Sequence, residues 1–203
     1  MNARSGAGAA RAARGGGRDE DRRVTTIAHH LEREREKPMT EPQTFTFADD
    51  GAIPNSRLPL IVYRQAVEAD PAAIEALFAA NRWPPAWRNS VHPFQHFHSN
   101  VHEALGCARG RGKVQFGGPG GATMEIKAGD VVVLPAGVGH CRMEKSDDFL
   151  IVGAYPENAA KPDQYRGDPA QHDGVVRNIE KVPTPGVDPV GGADGALVRL
   201  WAR

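Results

Sequence analysis

His96-Phe97-His98-Ser99-Asn100-Val101-His102-Glu103 is the stretch from which the rest of this chain can be read. Five of the eight histidines fall between His92 and His140. Side chains alternate along a strand, so His96 and His98 share a face and both imidazoles can reach one ion. Glu103 lies five residues beyond His98 and would face away on an uninterrupted strand. It joins the pair only if Ser99-Asn100-Val101 breaks the pairing with a turn or bulge. A straight strand would instead group His96, His98 and His102 and leave Glu103 outside. A third reading makes both histidines ordinary polar strand residues with no ion.

A second stretch narrows the choice: Gly129-Asp130-Val131-Val132-Val133-Leu134-Pro135-Ala136-Gly137-Val138-Gly139-His140. Together the two resemble the paired motifs of the cupin superfamily. The first motif runs His-x-His, a short spacer, Glu and a later Gly, matched here by His96, His98, Glu103 and Gly110. The second runs Gly, then Pro-x-Gly, then His, matched by Gly129, Pro135, Gly137 and His140. Ser90 replaces the Gly that often opens the first motif, and Glu144 the Asn that often closes the second; neither position is a ligand in the family. The motifs cover about a quarter of the chain. Beyond them, Gly153-Ala154-Tyr155-Pro156 and Asp188-Pro189-Val190-Gly191-Gly192-Ala193-Asp194-Gly195 are similar to bacterial single-domain cupins of the YjlB type. The resemblance implies an all-β jelly-roll barrel in which His96, His98, Glu103 and His140 surround one metal ion.

The flanking sequence suits such a barrel. Leu60-Ile61-Val62-Tyr63 reads as a strand. A short helix follows, with Asp70 as N-cap, Pro71 in the first turn, Ile74, Leu77 and Phe78 on one face, and Pro84-Pro85 as its stop. Val114-Gln115-Phe116 and Thr123-Met124-Glu125-Ile126 flank a glycine loop as a hairpin. Val131–Leu134 and Phe149–Val152 are continuous apolar runs, as expected of strands covered on both faces. After Tyr155 the chain turns polar and is expected to cross the surface to about Gly174. Val175–Ile179 and Ala196–Trp201 then read as two late strands.

Composition bounds the function. The chain has 203 residues, with 25 Lys and Arg balanced by 25 Asp and Glu, so no net field steers it toward nucleic acid or a membrane. No apolar run approaches the ~20 residues of a membrane helix. Two cysteines, Cys107 and Cys141, are too few for a disulfide framework, and the expected compartment is the cytoplasm. Residues 1–40 are rich in Arg, Ala and Gly and are expected to be a disordered arm, with 41–203 a single cupin domain whose motif core is 90–155. The arm's basic character invites a nucleic-acid or transit-peptide reading, but Asp19, Glu20 and Asp21 interrupt it. Met39 is an alternative start.

Three imidazoles and a carboxylate suit one divalent transition metal, Fe, Mn, Ni, Cu or Zn, and leave two positions of an octahedral ion for other ligands. Two functions follow. The first is an enzyme acting on a small oxygen-rich metabolite by oxygenation, isomerisation or decarboxylation, with His102 and Glu144 as candidate catalytic proton carriers. The second is a non-catalytic barrel that binds a small ligand, its metal structural or orienting. Phe94, Phe97, Trp83, Trp87 and Phe116 are candidate pocket aromatics. The resemblance also implies a homodimer through an edge strand.

Overall fold

The computed structural model describes residues 41–202, and the expected arm over 1–40 lies outside them. The described chain runs β1 (Gln43–Phe45), β2 (Leu60–Tyr63), α1 (Pro71–Ala80), β3 (Pro85–Asn89), β4 (Glu103–Arg109), β5 (Arg111–Phe116), β6 (Ala122–Lys127), β7 (Val131–Leu134), β8 (His140–Lys145), β9 (Leu150–Ala154), a 3-10 turn at Pro169–Gln171, α2 (His172–Ile179) and α3 (Ala196–Leu200). A six-stranded sheet has the order β1-β2-β7-β4-β9-β3, and a three-stranded sheet the order β6-β5-β8. Every pairing is antiparallel. This is the cupin-type jelly-roll barrel with its short helix.

Strand periodicity divides the core in two. Leu60, Val62, Leu105, Val132, Leu134 and Ile151 meet Val114, Phe116 and Ile126 of the smaller sheet in the barrel interior. Their neighbours Ile61, Tyr63, Ala104, Val131, Val133 and Val152 point the other way, onto Ile74, Phe78, Trp83, Leu197 and Trp201. The large sheet is therefore covered on both faces, which is why β2 and β7 are unbroken apolar runs.

Helix α1 begins where the sequence places it, with the Asp70 carboxylate accepting from the Ala72 and Ala73 N–H groups at 2.8 and 2.9 Å. It ends at Ala80, before Pro84, and Arg82 turns the chain at φ +62°. Against it lies Gly106 of β4, where a Cβ would stand 2.6 Å from Ile74 Cγ2.

The two late strands are overturned: Val175–Ile179 lies in α2, and Ala196–Trp201 forms α3 and its cap. The burial explains it. His172, Val175, Val176 and Ile179 make one partly covered stripe, and Ala196, Leu197, Leu200 and Trp201 another, both at helical spacing. The apolar content suggested strands, whereas the three- and four-residue intervals carry the helical signal. The C-terminal segment is clamped by buried Asp188, which accepts from Tyr63 and from the Val190 and Leu197 N–H groups.

Candidate metal centre

His96 lies in a short extended segment bridged to His140, with mutual backbone hydrogen bonds of 3.2 and 2.8 Å. Phe97 is bridged likewise to Tyr165, at 3.0 Å in both directions, and the His98 carbonyl accepts from Gly137 N–H at 2.8 Å. The chain then bends at Ser99–Asn100, and β4 opens with Glu103. That bend brings Glu103 onto the histidines' side. Between them the rings of His96, His98 and His140 offer three ligand atoms within 4.8 Å of one another. Glu103 Oε2 lies 3.4 Å from His140 Nε2 and 3.6 Å from His98 Nε2. His96, Glu103 and His140 are each only 3% exposed.

The outer ring nitrogens are all committed. His96 Nδ1–H donates to the Phe94 carbonyl at 3.2 Å, His140 Nδ1–H to the Val138 carbonyl at 3.1 Å, and His98 Nδ1–H to the Asp163 carbonyl. In those tautomers each Nε2 keeps its lone pair. Glu103 Oε2 is buried without a hydrogen-bond partner. Three lone pairs and an unpartnered carboxylate oxygen at one point fit a cation, and their N and O chemistry fits a divalent transition metal.

Burial, followed by the charge of His140, pulls His96 down to about 3. Burial opposes the charged forms of both His98 and Glu103, yet contact with Glu103 raises the His98 imidazole, and contact with His140 and then with His98 holds the Glu103 carboxyl below the usual carboxylate range. Burial, and then the neighbouring Glu103 charge, push the Tyr155 phenol up, so it keeps its proton at neutral pH.

Sequence reasoning missed Tyr155 and Asp163 as site residues. The Tyr155 ring lies 6.0 Å from that of His98, and its hydroxyl accepts from Trp87 Nε1–H at 3.1 Å. Asp163 receives His98 on its carbonyl, while its carboxylate accepts from Ser99 N–H and Oγ–H at 2.6 and 2.5 Å. Its position inside a polar surface stretch gave no signal.

Of the candidate proton carriers, neither joins the cluster. His102 faces the other side of β4: its Nδ1 accepts from Ala136 N–H at 3.0 Å and its ring lies 4.8 Å from that of Trp201. It borders a cleft of about 960 Å³ whose lining includes Asn55, Val176 and Ile179 but none of the three clustered histidines. Glu144 is exposed at the far end of β8, paired with Lys113 at 2.8 Å. Among the candidate pocket aromatics, Trp83, Phe97 and Phe116 are buried, Trp83 in the outer core, Phe116 in the barrel interior, and Phe97 against Ile53 and Tyr165. The Phe94 ring lies 5.7 Å from that of His96, and Trp87 reaches the cluster's surroundings through Tyr155.

A barrel of two antiparallel sheets with a histidine cluster at one end is the architecture of a cupin, and the family model described as Cupin matches residues 88–182. The uncharacterized protein YjlB of Bacillus subtilis (strain 168) is 40% identical over 164 residues, spanning 80% of this chain and 98% of that protein. The chain belongs to the YjlB-type cupins. Among solved structures, it is similar to a DUF861 family protein from Thermotoga maritima, at 22% identity over 41% of this chain and 88% of that one, TM-score 0.30. It is also similar to a Klebsiella pneumoniae protein with a double-stranded β-helix domain, at 15% identity over 66% and 90% of the two chains, TM-score 0.31.

Proposed function

We propose that this cupin holds one divalent transition metal ion with His96, His98, Glu103 and His140 and acts on a small oxygen-rich metabolite by oxygenation, isomerisation or decarboxylation. The observation that carries the reading is the gathering of three imidazoles, their ligand atoms within 4.8 Å of one another, with two of them 3.6 and 3.4 Å from a buried carboxylate oxygen that has no hydrogen-bond partner. When bound, such an ion supplies a Lewis acid that stabilises negative charge developing on a substrate oxygen. The residues do the rest. Backbone carbonyls of Phe94, Val138 and Asp163 fix the rings, as outer hydrogen bonds to metal-binding histidines do. Tyr155 holds a proton beside Glu103, oriented by Trp87. His96, Glu103 and His140 are buried, which limits the access of bulk water to the centre.

A second reading rests on how closed the cluster is. With His96, Glu103 and His140 nearly inaccessible, the ion would be structural or would orient a bound ligand without reaction. Two buried free thiols accord with the cytoplasmic location we assign, and burial pushes Cys107 up to about 12, keeping it protonated and inert.

Elemental mass spectrometry of anaerobically purified protein tests the centre. The expected result is about one equivalent of metal in the parent and a loss of most of it in the His98→Ala, His140→Ala double variant. No metal in the parent, even after reconstitution, would sink the reading and leave a ligand-binding barrel.

A further inference from the structure

Two arginines that the centre itself does not use are held against the segment that leads into His96. Arg142 stands two residues beyond His140 on β8, opposite Val114, whose side chain lies in the barrel interior. Its backbone N–H donates to the His92 carbonyl at 2.9 Å and its Nε–H to the Val91 carbonyl at 3.0 Å. This anchors the guanidinium by one nitrogen and leaves the terminal nitrogens to present. Arg166 comes from the strap beyond β9 and sets its guanidinium 3.6 Å above the Phe94 ring. Phe94 in turn stacks on His92 at 4.7 Å, and the His92 ring meets that of His96 edge-on at 5.0 Å.

Five other arginines, Arg57, Arg64, Arg82, Arg88 and Arg199, have carboxylate partners. Arg142 and Arg166, like Arg109, Arg111 and Arg177, have none among the described residues, but these two alone are held by the segment that leads into the cluster. Both are held by one short segment, Val91–Phe94, that leads directly into the first histidine of the cluster. A guanidinium kept in place without an acid matches the planar, bidentate geometry of an oxyanion.

We infer that Arg142 and Arg166 form an anion subsite at the mouth of the centre, receiving the carboxylate or phosphate of a small acid whose other oxygens meet the metal. The inference deepens the proposed function and rests on its placement of the centre.

The full chain, metal-loaded and again after chelation, is titrated calorimetrically with malonate, with inorganic phosphate and with uncharged malonamide. Metal content and unfolding temperature are recorded on the same samples. The parent is expected to bind at least one anion and not malonamide, and the tighter anion identifies carboxylate or phosphate as the group recognised. Arg142→Gln and Arg166→Gln each weaken that binding roughly tenfold or more, with metal content and unfolding temperature unchanged. Arg142→Lys, which keeps a charge, recovers part of it. Equal affinity in parent and both Gln variants, malonamide binding as tightly as malonate, or no anion binding with or without metal overturns the subsite. The metal content of those samples then judges the centre separately.

Discussion

Glu103 and His102 are adjacent, and their opposite fates show what one residue's direction does. Glu103 turns into the barrel and meets His98 and His140, while His102 turns outward onto Trp201 and the Ala136 N–H. Burial lowers His102 to about 4, against about 6.5 for a free histidine. Between those values the unfolded chain binds more protons, so stability rises with pH through this window, is complete above about 6.5 and lost by about 4. The contribution is up to about 3 kcal/mol. In metal-free protein, His102→Gln, which keeps an acceptor for Ala136, is expected to flatten the fall of the unfolding midpoint on acidification. A parent and variant with the same pH slope would remove His102 as its source.

At the scale of elements, the packing of α1 on β4 depends on a missing side chain. A methyl at position 106 collides with Ile74 and approaches Phe78 Cζ at 3.1 Å, so Gly106→Ala is expected to destabilise the domain by about 1–3 kcal/mol, read from urea unfolding. An unchanged midpoint would mean that α1 shifts freely. The elements legible in the sequence were those with strong local chemistry: the Asp70 cap, the glycine loop before β6, and the apolar runs of β7 and β9. The strand alternation likewise paired His96 with His98, and the cupin resemblance added His140; the structure brings these three together. What stayed hidden depends on distant partners. Helices α2 and α3 are short and β-branched or apolar enough to pass for strands, and only their packing exposes the helical stripe. Asp163 and Tyr155 lie over 50 residues from His98, and no local pattern announces their contact with it.

For the whole molecule, the core clusters of the described residues run from Phe45 to Trp201. We propose that the cupin domain stands alone over 41–203 and pairs through a sheet edge as a homodimer. A chain starting at Thr40 is expected to unfold cooperatively, keep the parent's metal content and sediment at twice its monomer mass. Loss of folding would place essential contacts before residue 40, and a monomer would dismiss the dimer. The strap that seats His98 also bears on timing. No part of the chain ending before His140 carries all three histidines, and none ending before Asp163 carries the carbonyl that fixes His98. On the proposed reading, the complete ligand set with its fixed His98 ring therefore exists only after synthesis has passed Asp163, which makes metal loading a property of the folded barrel rather than of the emerging chain.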